Sequence, residues 1–312
     1  MSPADRPARG PAVGAPAPGG VDEAARARAV RRVLLSILAL NWAVALAKGV
    51  AGLLGGSLSM VADAAHSTFD GASNVVGLVA VTFAARGPDR EHPYGHRRFE
   101  VLGAAAIGVM LTTVVWGIVA GAVARLREPR APDASLLQFA VLGATLAVNL
   151  AVSLWERRAG RALESPVLMA DAEHTASDVL TTLAVISSLV CARLGVPAAD
   201  PLIALAIACY VGWIAVRLIL GASNVLADRA ALDPAAVVRV AQGVPGVQDC
   251  HAVRTRGPEG AVFADLRIHV DPGLTVAAAH DLAHEVEDAL RAAFPGLTDI
   301  VVHVEPAAPG HP

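Results

Sequence analysis

The chain has 312 residues, of which 54% are hydrophobic and 17% charged, and its mean hydropathy is +0.53. That composition excludes an ordinary soluble domain and fits a polytopic membrane protein. The formal net charge of −3 singles out no partner by itself, and no nucleic-acid partner is expected.

Residues 1–25 are rich in Pro, Ala and Gly and lack the apolar stretch of a signal peptide, so they read as a disordered N-terminal tail. Six apolar stretches then follow, each near the length of roughly 20 residues needed to cross a bilayer: 33–54, 57–84, 100–124, 136–156, 167–192 and 200–222. Gly52, Gly55 and Gly56 mark the break between the first two. Residues 26–225 are therefore expected to form a six-span transmembrane domain. Arginines at 26, 28, 31 and 32, at 86, 90, 97 and 98, and at 157, 158 and 161 fall in segments on one side of the membrane. The positive-inside rule then puts both termini in the cytoplasm. From 226 to 312 the apolar runs end. A helix from Asp233, strands near 247–256 and 261–270, a helix near 275–294 and a last strand near 299–304 give an α+β, ferredoxin-like αββαβ domain. Cys191, Cys209 and Cys250 form no pairing framework, and no disulfide is expected.

One nine-residue pattern occurs twice, as Ala62–Asp70 (ADAAHSTFD) and Ala170–Asp178 (ADAEHTASD), on the second and fifth spans. Residues four apart on a helix share a face, about 6 Å apart along the axis. His66 with Asp70, and His174 with Asp178, therefore each present an imidazole beside a carboxylate. Two facing pairs supply four N/O ligands, the tetrahedral number zinc favours. Spans three apart run in opposite directions, and inverted repeats bring their polar groups together near the midplane. Ionisable groups there are costly to keep and point to a substrate path, hence to a divalent-metal transporter. Asp63 and Asp171 are either supports for the ligands or hydrogen-bonding groups within the bundle. Asn41, Asn74 and Asn149 are candidates for lining the path, whereas Lys48 reads better as snorkelling to an interface.

On these residues the chain resembles the cation diffusion facilitator family. The likeness runs through Ser57–Ser73 (SLSMVADAAHSTFDGAS), the His174 and Asp178 pair, Asp89, His92 and the Tyr94-Gly95-His96 turn, Asp228-Arg229-Ala230 and the cytoplasmic domain. The resemblance implies a homodimer in the cell membrane that exports divalent metal from the cytoplasm in exchange for protons. Its transport site would be His66, Asp70, His174 and Asp178. Family members with histidine in both pairs are chiefly zinc-selective, so Zn2+ is the expected substrate, with Cd2+, Co2+, Fe2+ or Mn2+ as the alternatives. The resemblance also implies a loop metal on Asp89, His92 and His96. In the cytoplasmic domain it implies one or two zinc sites near the dimer interface, on His251, His269, His280, His303 and Glu305, in a family where most members carry Asp at the last position.

Of ten histidines, only His311 has no candidate role. His284, one turn after His280, reads as a surface residue, and Cys250 as a small buried strand residue. Arg98 is a candidate partner for Asp228. A zinc hydrolase is disfavoured, because His284-Glu285-Val286-Glu287-Asp288 lacks the second histidine of HExxH and four membrane ligands would leave no open coordination position. A membrane-bound metal sensor is the remaining rival, and it leaves the duplicated ligand pairs without a purpose.

Overall fold

The structure, a computed structural model, describes residues 23–54, 58–127, 136–193 and 199–307. Two compact units emerge, one of residues 24–229 and one from Ala230 onward.

Among the described residues the first unit consists of six long helices: α1 (Glu23–Leu54), α2 (Leu58–Ala84), α3 (Arg98–Arg127), α4 (Leu136–Ala162), α5 (Pro166–Arg193) and α6 (Ala199–Leu226). Even the 27-residue helices reach about 40 Å at 1.5 Å per residue, enough to cross a hydrocarbon core of about 30 Å. Stretches of α1, α3 and α6 (Ala24–Ala47, Arg98–Ala124 and Leu202–Leu226) are apolar enough along their length to count as spans on composition alone. The other three helices carry the polar residues: Asp63, His66 and Asp70 on α2, Glu156 and three arginines on α4, and Asp171, His174 and Asp178 on α5.

α3, α5 and α6 overrun the expected spans at both ends, α1 at its start and α4 at its end, whereas α2 keeps to its span. α1 begins at Glu23, three residues inside the expected tail, because its first turns are anchored by Arg26 rather than left in solvent. The glycine break falls largely at 55–57, outside the described residues. Between α4 and α5 the chain turns through Glu164 at φ 47, Ser165 N–H donates to the Gly160 carbonyl at 2.9 Å, and Ser165 Oγ caps α5 by accepting from Leu168 N–H. Asp228 closes α6 in the same left-handed conformation, with Arg229 N–H returning to the Asn224 carbonyl.

Ala27, Val30 and Leu34 of α1 pack with Ala80 and Val81 of α2, Ala104 and Ile107 of α3, and Val167, Leu168 and Ala170 of α5. A second cluster joins Leu111 of α3 to Val211, Ile214 and Ala215 of α6. Gly103 permits the first: a Cβ there would lie 2.4 Å from Ala80 Cβ and 3.1 Å from Val167 Cγ2. Outward, Trp42, Leu46, Trp116, Leu202, Trp213 and Leu220 are exposed, an apolar exterior that suits lipid and would be unfavourable in water.

The second unit contains α7 (Pro234–Gln242), β1 (Asp249–Arg256), β2 (Val262–Val270), α8 (Val276–Ala293) and β3 (Leu297–Pro306). Asp233 caps α7 by accepting from Ala235 N–H, with Pro at the first helical positions; Thr275 caps α8 by accepting from Ala278 N–H. The sheet has the order β1-β2-β3, the first pair antiparallel and the second parallel. Its inner face, including Cys250, Leu266 and Ile268, packs against Val237 and Ala241 of α7 and Leu282, Val286 and Leu290 of α8. A bulge between His251 and Arg254, with Ala252 at φ 51, interrupts β1.

Candidate metal sites

Within the helical unit, α5 packs beside α2 and α4. His174 is buried, and neither ring nitrogen has a hydrogen-bond partner among the described residues. A buried imidazole with two unused nitrogens is unfavourable in an apolar bundle unless something else binds there. Asp178, one turn on, is half-buried and shares the face of His174. Hydroxyls bond back along the helix, Ser177 to the His174 carbonyl at 2.7 Å and Thr182 to the Asp178 carbonyl at 2.8 Å. His66 and Asp70 lie on α2, with side chains outside the described residues, as is that of Asp63 and that of Lys48.

Three helices are tied together beside His174 by side-chain amides. Asn41 of α1 donates to Asn74 of α2 at 3.1 Å, and Asn74 donates to the carboxylate of Asp171 on α5. Asp171 thus makes the hydrogen bond within the bundle that was one of its two expected roles. Asn149, on α4, is half-buried.

Glu156 is a residue that the sequence reading missed. It is fully buried on α4, neighbours Asp171 and Thr175 of α5, and neither of its oxygens makes a hydrogen bond of regular geometry to a described residue. Its position in Trp155-Glu156-Arg157-Arg158 hides it, because that run reads as the charged end of a span. Arg157 does behave so, pairing with Glu173 at 3.0 Å. Two buried carboxyls side by side cannot both carry uncompensated charge in a bilayer; a proton or a cation must accompany them.

Arg26 likewise departs from its expected role as a flanking charge. It is buried with Glu100 of α3 in a two-pronged pair at 3.0 and 3.2 Å, and it donates to the carbonyls of Leu163 at 2.6 Å and Glu164 at 2.8 Å. Ser165 Oγ donates to the same carboxylate. Arg98 meets Asp228 in an exposed ion pair, as anticipated.

Between α2 and α3, Asp89, His92 and His96 bring one ligand atom each to within 4.8 Å of one another. Asp89 approaches His92 Nδ1 at 3.6 Å and His96 Nε2 at 3.4 Å. Its Oδ1 also accepts from the backbone N–H groups of Glu91 and His92, and the latter bond above all, with the neighbouring imidazoles, holds its carboxyl below the usual range. His96 is buried, its Nδ1 3.1 Å from the Gly87 carbonyl. If that nitrogen carries the proton, Nε2 keeps its lone pair towards Asp89, the orientation a metal ligand needs.

On the sheet, two-residue alternation explains the third group. Asp249, His251, Arg267, His269, His303 and Glu305 alternate with Cys250, Ile268 and Val304 and so occupy the face opposite the helices. Register sets Asp249 against His269 and His269 against Glu305, and His251 against Arg267 and Arg267 against His303. Glu305 lies 3.4 Å from Nε2 of each of His251, His269 and His303. Asp249, His251 and His269 have ligand atoms within 4.8 Å of one another. Asp249 and Arg267 were missed, although both stand two residues from an expected ligand and alternation could have found them. Partial desolvation works against ionisation of Glu305, but Arg267, at 2.9 Å, followed by His251 and His303, holds its carboxyl below the usual range.

Within one protomer His280 lies apart from this group. It projects from α8, whose buried residues pack on the inner face of the sheet, and it is paired with His284. Within one protomer the expected five-residue set is therefore divided between two layers, four residues on the sheet and His280 on α8.

Residues 34–227 match the cation efflux transmembrane domain, and residues 232–307 match the cytoplasmic domain of cation efflux proteins. Cation-efflux pump FieF of Pectobacterium atrosepticum is 31% identical over 255 residues, which cover 81% of this chain and 85% of that protein. The protein of the same name from Serratia proteamaculans is 31% identical over 284 residues, 90% of this chain and 94% of that one. Metal tolerance protein C1 of Arabidopsis thaliana is 30% identical over 283 residues, 85% of this chain and 60% of that protein.

Proposed function

The chain belongs to the cation efflux family and is a membrane transporter rather than an enzyme, and within that family we propose that it is a proton-coupled antiporter exporting Zn2+ from the cytoplasm. The substrate site in this reading is His66 and Asp70 of α2 with His174 and Asp178 of α5. The observation that carries it is His174, buried among packed helices with both ring nitrogens unused by any described residue.

Two imidazoles and two carboxylates suit Zn2+ better than a set of carboxylates alone, which would lean to Mn2+, or thiolates, which would lean to Cu+. Ligands must be deprotonated to bind, so loading the ion displaces protons and reprotonation favours release. Glu156 places a second buried carboxyl beside Asp171, a pair that needs a proton or a cation for company and so suits exchange of the one for the other.

Residues 26–225 would carry the ion and residues 226–312 would dimerise and bind regulatory zinc, in a homodimer of the cell membrane with both termini in the cytoplasm. The loop group fits a resident Zn2+ with one carboxylate and two imidazoles. The sheet group fits one as well, provided Arg267 releases Glu305.

Proteoliposomes loaded with a Zn2+ indicator and given a pH gradient test the coupling. The proposal expects Zn2+ movement opposite to the proton gradient and its loss when a protonophore collapses that gradient. Flux indifferent to the gradient would exclude exchange.

A further inference from the structure

Contacts along α4 and α5 set the register of these two antiparallel helices. Ser153 Oγ donates to the Ala172 carbonyl at 3.0 Å, and Gly160 backs so closely onto Met169 that a Cβ there would lie 3.2 Å from the Met169 nitrogen. Glu156, between the two contacts, stands level with Asp171. Both carboxyls are fully buried, and both oxygens of Glu156 and Oδ1 of Asp171 lack a hydrogen bond of regular geometry to any described residue. We infer that Glu156 and Asp171 form a divalent-cation site, the entry site from which the transported ion passes to His174 and Asp178, an inference that rests on the transport reading.

Three unused carboxylate oxygens in a bundle interior are costly unless positive charge joins them. The arginine next in sequence does not supply it, because Arg157 pairs with Glu173 at 3.0 Å. One divalent ion balances two carboxylates, and the free oxygens are the donors it needs. The other oxygen of Asp171 accepts from Asn74, which fixes the carboxylate from α2 and leaves Oδ1 for the ion. Thr175 adjoins Glu156 and donates to the Asp171 carbonyl at 3.2 Å, so its hydroxyl oxygen keeps lone pairs beside the same site.

Asp171 precedes His174 by three residues, about 4.5 Å along the helix axis, on the side of the corner between Ala162 and Pro166 that joins α4 to α5. With that corner in the cytoplasm, an outgoing ion meets the two carboxylates before the imidazole. Two divalent ions so close would repel strongly, so the carboxylate pair and the substrate site are occupied in turn. Donor type divides the work: oxygens accept Mn2+ as well as Zn2+, and the imidazoles select Zn2+ at the next step.

Protons on the two acids would also neutralise them, and counting bound ions distinguishes the two cases. Full-length protein in detergent would be dialysed against free Zn2+ in the tens of micromolar and its zinc measured per protomer. The background is Asp70→Asn/Asp178→Asn, which removes both carboxylates of the proposed substrate site, and Glu156→Gln, Asp171→Asn or Glu156→Asp is added to it. Metal held by the loop and sheet groups is common to all these variants and cancels. Each amide keeps the shape of the acid it replaces, and circular dichroism would verify folding. The proposal expects the background to keep one ion per protomer that Glu156→Gln and Asp171→Asn each remove and Glu156→Asp retains. Equal counts with and without Glu156→Gln would leave the pair to protons and overturn the site. Loss with Asp171→Asn but not with Glu156→Gln would assign Asp171 to another ligand set, and would overturn it equally. Flux of the wild type in proteoliposomes is read separately: a wild type that moves no Zn2+ refutes the transport reading, whereas the difference in count decides the carboxylate site by itself.

Discussion

Replacing Arg26 by Met should destabilise the helical unit far more than a surface arginine would, and removing Glu100 as well should restore most of the loss. Arg26 makes two charge-assisted bonds to Glu100 and one bond each to the Leu163 and Glu164 carbonyls, all from one buried side chain. The single substitution strands a carboxylate that is 1% exposed. Removing one partner of a buried pair costs about 3–5 kcal/mol, most of it the penalty on the charge left behind. Glu100 would retain the Ser165 hydroxyl and Arg97 at 4.0 Å, so the lower end, about 3 kcal/mol, is expected. On the scale of a domain of this size that is roughly 6–12 °C of midpoint. Arg26→Met/Glu100→Met replaces both charges by apolar groups, and such exchanges are commonly neutral. The assay is a double-mutant cycle on thermal unfolding in detergent, with the single Glu100→Met as the fourth corner. A single variant within 2 °C of wild type, or a double variant no better than the worse single one, would refute the reasoning.

Glu156→Gln, which removes the ionisable carboxyl beside Asp171 while keeping its shape, should raise the apparent KM for Zn2+ in liposome flux by roughly tenfold, the lower part of the range for groups supporting a metal ligand; an unchanged KM would leave Glu156 with a packing role alone. Burial first and Asp249 second push the Cys250 thiol up from 9.0 to about 11. The reactive thiolate is thus about a hundredfold scarcer at pH 8 than in an ordinary cysteine, and native protein should react with iodoacetamide about that much more slowly than protein unfolded in detergent and urea. Equal rates would show Cys250 to be outside the core. Gly103→Ala drives a methyl against Ala80 and Val167 and should cost about 1–3 kcal/mol by overpacking, seen as a lowered unfolding midpoint; an unchanged midpoint would mean that α2 and α3 are not in close contact.

The elements were legible because their signals are local. Asp233-Pro234 starts a helix with a cap and a preset φ, Gly257-Pro258 and Asp271-Pro272-Gly273 separate strands, and the six apolar stretches are each long enough to read singly. The paired HxxxD pattern was likewise visible as a repeat. What escaped depends on contacts between distant parts of the chain. Arg26 and Glu100 are 74 residues apart, and either alone looks like a charge at the end of a span. Glu156 sits among arginines and reads as interfacial until α4 is seen packed on α5. The resemblance groups His280 with the sheet histidines, and the sequence alone carries no layer for it. Within one protomer, the burial of one face of α8 sets it apart from them.

The account stands most directly on metal flux in proteoliposomes under an imposed pH gradient, measured for Zn2+, Cd2+, Co2+, Fe2+ and Mn2+ with the wild type and with Asp178→Ala. Gradient-dependent transport led by Zn2+ and abolished by the substitution is the predicted result. Flux that persists without Asp178, or a wild type that moves none of the five ions, would contradict it and leave the buried pairs with a structural or sensing role.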